Sequence, residues 1–318
     1  MRLGTTDSTL ISERDSGTVV ERLPSGRLRD VGVVPAVVHA GEGGLLGLAV
    51  LPGDSAGSDR WLYAYLTTAT DNRIVRMPLA GASGSYRLGA SAPILTGLAK
   101  AGNHDGGRIA FGPDGMLYAT VGDAGQPSRA QDPRSLSGKI LRMTATGAVP
   151  RDNPMAGSLV YSLGHRNPQG IAWDASGQLW AAEFGQNTWD EFNRIEPGGN
   201  YGWPTVEGIG SKAGFTDPVY QWRTSDASPS GLAFVGGTFF LAALRGERLW
   251  AISPGSASTG TATTARPFLV GALGRLRDVA PGPDGSLWLV TNNTDGRGSP
   301  TAGDDKLIEV RLDVSRAG

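Results

Sequence analysis

One short apolar motif comes round six times in this chain, and that repetition constrains the fold more than any single residue does. The copies are Thr9-Leu10-Ile11, Trp61-Leu62-Tyr63, Met116-Leu117-Tyr118, Gln178-Leu179-Trp180, Phe239-Phe240-Leu241 and Ser286-Leu287-Trp288. They stand about 50 to 60 residues apart, somewhat longer than the commonest propeller repeats. Each is followed by a second run of the same type, such as Ile74-Val75-Arg76-Met77 or Leu249-Trp250-Ala251-Ile252. Five copies are also preceded by a small-residue apolar strand ending in a turn. Gly107-Arg108-Ile109-Ala110-Phe111 before Gly112-Pro113-Asp114-Gly115 is one, and Asp278-Val279-Ala280 before Gly282-Pro283-Asp284-Gly285 is another. Proline presets φ and glycine accepts positive φ, so each Pro-Asp-Gly predicts a tight turn. Helical periodicity of useful length is absent.

A single sheet of this kind cannot bury both of its faces, so stacking the units around an axis is what supplies a core. The pattern predicts an all-β chain, a six-bladed β-propeller of four-stranded antiparallel blades forming one domain over residues 1–318. A β-sandwich or a β-helix is the alternative, and six similar units at this spacing favour the propeller. The first unit begins at its second strand, with only Met1 to Thr6 before it, so the first blade is expected to lack a strand.

Composition narrows the chemistry. Forty-eight glycines and twenty prolines in 318 residues suit short strands joined by many turns. The formal net charge of -1 leaves no basic excess for nucleic acid. With no cysteine there is neither a disulfide framework nor thiolate chemistry. The most apolar stretch, from Val31 to Pro52, contains Pro35, Glu42 and several glycines, so no transmembrane segment is expected. No leader is visible at the start, so either the protein stays in the cytoplasm or a leader has been removed.

The innermost strands of a propeller and their loops line a central channel, the usual place for a small ligand. Polar residues at those strands are Glu42 in Gly41-Glu42-Gly43-Gly44-Leu45-Leu46-Gly47, and His104 in Asn103-His104-Asp105-Gly106-Gly107-Arg108. Arg166 and Asn167 follow in Gly164-His165-Arg166-Asn167-Pro168-Gln169-Gly170, and Arg275 and Arg277 in Gly274-Arg275-Leu276-Arg277-Asp278. These are expected to converge at one mouth of the channel. Guanidiniums grip planar, multiply anionic partners bidentately, and an imidazole among them is the natural base near neutral pH. The three histidines, His39, His104 and His165, are too few for a histidine-rich metal site. His39 and His165 are read as structural. Arg22, Arg76, Arg142 and Arg194 recur at one strand position and are expected on solvated faces. The acidic segment from Asp295 to Asp305 lacks the spacing of a calcium loop and is expected to be a polar turn.

At these motifs, and at the block from Asp190-Glu191 through Asn200-Tyr201-Gly202-Trp203-Pro204, the chain resembles the soluble PQQ-dependent aldose and glucose dehydrogenases, grouped with sorbosone dehydrogenases (PQQ is pyrroloquinoline quinone). The resemblance runs through nearly the whole chain. It implies an aldose substrate oxidised at its anomeric carbon, PQQ and Ca2+ as cofactors, and an external electron acceptor. It further implies export to the periplasm or beyond, and a monomer or homodimer. His104 resembles the base, while Arg166 and Asn167 resemble residues on the cofactor and the reacting carbonyl. Glu42 holds a polar position of the site, and Arg275 and Arg277 resemble the pair that holds cofactor carboxylates. Arg245 stands where the family often has a lysine. The cofactor's calcium is implied on the carbonyls of Gly185 and Gln186, where the glucose dehydrogenases show proline at the second position. A second, structural calcium would use the Glu191 carboxylate and the Tyr201 carbonyl, with Asp190 a helper.

Two other functions fit the same fold class. A non-catalytic propeller binding a glycan or a protein has no need of the arginines. A calcium-dependent lactonase gathers carboxylates and amides on one central metal, a set that these motifs do not supply. The sugar itself is not legible, since the loop from Thr205 to Asp226 carries no readable code.

Overall fold

A computed structural model describes residues 8–51, 60–255 and 261–312. Among them there is no α-helix, and every regular element beyond two short 3-10 turns is a strand. Among the described residues no helix is long and apolar enough to cross a membrane. The fold is an all-β six-bladed propeller whose six antiparallel sheets follow one another along the chain, and the described residues form two compact units. Residues 1–168 and 196–205 belong to the first, residues 169–195 and 206–318 to the second.

The first unit carries three sheets. β1 (Thr9–Ser12), β2 (Thr18–Arg22) and β3 (Leu28–Val33) form one. β4 (Leu45–Val50), β5 (Trp61–Thr67), β6 (Asn72–Ala80), β7 (Arg87–Leu88) and β8 (Ala92–Leu98) form the next. β9 (Ile109–Phe111), β10 (Leu117–Val121), β11 (Lys139–Met143) and β12 (Val160–Leu163) complete it. The second unit holds β13 (Pro168–Trp173), β14 (Leu179–Glu183), β15 (Trp189–Arg194) and β16 (Tyr220–Arg223). There follow β17 (Pro229–Val235), β18 (Thr238–Ala243), β19 (Arg248–Ser253) and β20 (Thr264–Phe268), then β21 (Leu276–Pro281), β22 (Leu287–Thr291) and β23 (Leu307–Val310).

The six repeated motifs fall in β1, β5, β10, β14, β18 and β22, each the partner of the run that follows it. Two of them, β10 and β14, are buried throughout and the others largely so, and they read as mainly apolar runs because sheets packed on both faces leave no polar side. Outer strands such as β20 are exposed and mixed. The first sheet has three strands among the described residues, as expected, and the segment from Met1 to Thr6 lies outside them. The last sheet also has three, and the second has five. β6, at nine residues, is too long for one outer partner, so β7 pairs with Leu79–Ala80 and β8 with Asn72–Arg76. Among the described residues the other three sheets each have four strands.

The Pro-Asp-Gly turns form as expected. Gly112 and Met116 close one by an N–H to carbonyl bond of 2.9 Å, with Gly115 at φ 73°. Gly282 and Ser286 close the other at 2.7 Å. Within the first unit, Tyr63, Tyr65, Ile109, Leu117, Leu141 and Met143 share one buried cluster. Trp180, Phe192, Trp222, Phe239 and Trp250 dominate another in the second.

One expectation fails outright. Arg142 is not on a solvated face: its side chain is only 7% exposed. Its Nε donates to Asp114 Oδ2 at 2.9 Å and its two terminal nitrogens to Asp152 at 2.9 and 3.0 Å. The turn that Pro113 and Gly115 fold brings Asp114 under β11, a partner that strand position alone could not reveal.

Candidate active site

In the first unit the chemistry gathers in the loop entering β9. His104 has φ of 60°, a left-handed conformation rare for residues other than glycine. Its N–H donates to Glu42 Oε2 at 2.9 Å, and its carbonyl accepts the Ala124 N–H at 3.3 Å. A Cβ at Gly122 would collide with that carbonyl oxygen, so the sequence needs glycine there. Such backbone strain costs on the order of 1–3 kcal/mol and survives only where the surroundings fix it.

The ring is fixed as firmly. Nδ1 lies 2.8 Å from Asp123 Oδ1, and Asp123 Oδ2 accepts the Trp203 indole N–H at 2.9 Å. The Gly125 N–H adds a third bond at 2.8 Å. Burial pushes the Asp123 carboxyl up, but the bonds from His104 and Trp203 outweigh it and hold the group below the usual carboxylate range. An ionised carboxylate only accepts, so Nδ1 carries a hydrogen, and in the neutral ring Nε2 is then the acceptor. The His104 side chain is 13% exposed.

Arg166 and Asn167 close the same corner. The Arg166 carbonyl accepts the Asp123 N–H at 2.8 Å, and its guanidinium stands 5.5 Å from the centre of the Trp203 ring. Asn167, 2% exposed, accepts the Gly106 N–H on Oδ1 at 3.0 Å. Glu42, His104, Arg166 and Asn167 are thus brought together, with Asp123 and Trp203 as the hub. Sequence reasoning gave Asp123 no role. Its only signal is an acid between glycines just past a strand, in Val121-Gly122-Asp123-Ala124-Gly125.

A fully buried cation steadies this corner from behind. Lys139 Nζ donates to the carbonyls of Arg129, Ala130 and Ser137 at 2.8, 2.9 and 2.9 Å. Burial pushes the ammonium down to about 8, against the opposing pull of Asp132. Gln131, which follows Ala130, donates to Asn200 Oδ1 at 2.9 Å and to the Trp203 carbonyl at 2.7 Å.

The other histidines sit elsewhere. His165 is fully buried, 2.8 Å from Ser162 Oγ and stacked on Tyr201 at 4.8 Å. His39 is exposed beside Arg14 and Asp15.

In the second unit, Gly185 and Gln186 lie in the loop between β14 and β15. Glu191 stands opposite Glu183 across those strands and is nearly buried. Its carboxylate accepts the Gly208 N–H at 2.7 Å and Asn193 Nδ2 at 3.0 Å. Burial, and then Glu183, push its carboxyl well above the usual carboxylate range. Tyr201, its expected co-ligand, belongs to the first unit. Arg245 is exposed in the hairpin turn between β18 and β19. Arg275 precedes β21, and its Nε and Nη2 both donate to Asp295 Oδ2, at 3.1 and 2.9 Å. Arg277, inside β21, is half-buried. The segment from Asp295 to Asp305 is a polar turn, its acids bonded to Arg275, Asn293 and Thr301.

These residues fit the implied groups. Guanidiniums suit a planar ligand with carboxylates, and the second unit carries Arg245, Arg275 and Arg277, although the Arg275 charge is already balanced by Asp295. Among the described residues no three acids or histidines cluster to hold a metal, so a cation at Gly185 and Gln186 would rest on backbone oxygens, which calcium accepts. Beside Glu191, the buried Oδ1 of Asn193 has no hydrogen-bond partner. An acceptor left bare next to two buried carboxylates is the environment a cation relieves.

The model of the glucose/sorbosone dehydrogenase family matches residues 1–301. The chain is 33% identical to quinoprotein glucose dehydrogenase B of Acinetobacter calcoaceticus over 244 residues, 66% of this chain and 51% of that protein. It is 33% identical to the aldose sugar dehydrogenase YliI of Escherichia coli over 300 residues, 83% of this chain and 78% of that one. The chain thus spans about half the length of the first relative. Among solved structures, the PQQ-bound aldose sugar dehydrogenase of Streptomyces coelicolor superposes with a TM-score of 0.89 at 52% identity, over 95% of this chain and 90% of that one. On a match of this extent, this chain belongs to the glucose/sorbosone dehydrogenase family.

Proposed function

We propose that the chain oxidises an aldose at its anomeric carbon to the lactone, using PQQ and calcium, with His104 as general base. The observation that carries the reading is the His104–Asp123–Trp203 chain, which leaves His104 Nε2 as an acceptor in a confined corner. Nε2 takes the proton of the anomeric hydroxyl, and Asp123 balances the imidazolium that forms. The carbon-bound hydrogen leaves as hydride while the C–O bond becomes a carbonyl, so the sugar loses two electrons and one proton goes to His104. When bound, PQQ supplies the two-electron acceptor and calcium polarises it. Arg166 and Asn167 orient the ligands, and Arg245, Arg275 and Arg277 bind cofactor carboxylates. Gly185 and Gln186 would offer carbonyls to the cofactor's calcium, and the Glu191 carboxylate and Tyr201 carbonyl would be ligands of a second ion. The proposal includes an external electron acceptor and a periplasmic or secreted location, which a chain without cysteine tolerates.

Reconstitution tests it. Apo-protein given PQQ and CaCl2 is expected to reduce an electron-accepting dye when aldoses are added. Dye reduction that needs neither PQQ nor calcium, or none with any aldose, would overturn the proposal.

A further inference from the structure

Five consecutive backbone N–H groups in the second unit, those of Gly185 to Trp189, end on carboxylates. Gly185 donates to Asp190 Oδ1 at 2.9 Å. Gln186, Asn187, Thr188 and Trp189 all donate to one oxygen, Glu207 Oε1, at 2.7, 3.0, 3.0 and 3.2 Å. Successive amides around an anion make a nest, and here the anion is the chain's own. A Cβ on Gly185 would run into the Trp189 carbonyl and come within 2.9 Å of Glu207 Oε1, so the loop closes tightly on this carboxylate.

Peptide planarity gives the nest a second face. In a trans peptide the carbonyl points opposite to its N–H, and among the described residues the cis bonds are elsewhere, at Trp203-Pro204 and Asp304-Asp305. With four N–H groups drawn to Glu207, the carbonyls of Gly185, Gln186, Asn187 and Thr188 turn away from it. The same carboxylate polarises the amides, which strengthens the carbonyl dipoles behind them.

The geometry points to Glu207 as a positioning residue that aims the Gly185 and Gln186 carbonyls at a calcium ion. This rests on the proposed function, which puts calcium on those two carbonyls. Glu207 itself touches neither ion nor sugar; it acts through the loop.

The test is calorimetric titration of the apo-protein with CaCl2 in the presence of PQQ, together with melting curves in EGTA and in calcium. Glu207→Ala is expected to weaken calcium about 10- to 100-fold, the usual cost of removing an outer partner of a metal site. It should also shrink the rise in Tm that calcium produces. Glu207→Gln keeps an acceptor without the charge and should lose less. Wild-type calcium affinity in Glu207→Ala overturns the inference, as does a Tm loss equal with and without calcium. If the alanine variant does not fold, wild-type affinity in Glu207→Gln overturns it. A wild-type protein that takes up no calcium overturns the proposed function as well, which separates the two failures.

Discussion

The two units hold their key loops by opposite means. In the first, a buried ammonium, Lys139, gathers the carbonyls of Arg129, Ala130 and Ser137. In the second, buried or half-buried carboxylates, Asp190 and Glu207, gather five amides. A cation that consumes carbonyls leaves side chains to do the chemistry, and the first unit presents an imidazole with its partner acid. Carboxylates that consume amides leave carbonyls facing outward, and the second unit presents backbone. On the proposed reading, the first arrangement serves to move a proton and the second to hold a charge.

The sharpest way to break this contrast is at His104. His104→Ala should keep the fold and bind PQQ, yet lose roughly a hundredfold to ten-thousandfold in turnover, the ordinary worth of a general base. Stopped-flow reduction of bound PQQ by an aldose checks it, with His39→Ala and His165→Ala as controls. A large loss in His165→Ala instead would move the base to a side chain now seen stacked on Tyr201.

A second variant probes the charge-holding unit. Replacing Arg275 and Arg277 together by alanine should weaken PQQ by a hundredfold or more, since each charge-assisted contact is worth roughly 1.5–3 kcal/mol. Because Asp295 already balances Arg275, the single Arg277 variant should account for most of the loss. Equal losses in the two single variants, by calorimetry, would show that the ion pair opens on binding.

The smallest effect concerns Lys139 and is read in stability. Its folded pKa of about 8 lies below its unfolded value, so between the two the unfolded chain binds the extra proton. Stability from this group therefore rises with pH above about 8, and below that the cost of burying the charge is fully present. The span is worth up to about 3 kcal/mol. Urea unfolding of wild type and Lys139→Met from pH 7 to 10 should show the steeper gain in wild type. Parallel curves would mean that the three carbonyls hold the proton to higher pH.

What the sequence disclosed follows the same division. The repeat and the Pro-Asp-Gly turns are local, so six sheets and their hairpins could be read directly. His104, Glu42 and Asn167 are side chains in short motifs, and the structure brings them together. Asp123 and Glu207 were invisible because each acts across distance on backbone or ring, 19 and 18–21 residues away. Their own neighbourhoods offer no more than the glycines that flank Asp123. Arg142 misled for the same reason, its acids arriving by way of a turn and a loop. The split of an outer strand into β7 and β8 depends on which partner β6 finds, and no periodicity records that.

The indole of Trp203 has a consequence of its own. Its N–H is tied to the carboxylate that orients His104, so the excited-state dipole of this ring feels whether Asp123 is charged. The corner therefore carries its own light source. Emission from one tryptophan, separated from the other seven by subtracting the spectrum of Trp203→Phe, reports the electrostatics of the His104 corner with no dye, sugar or cofactor present.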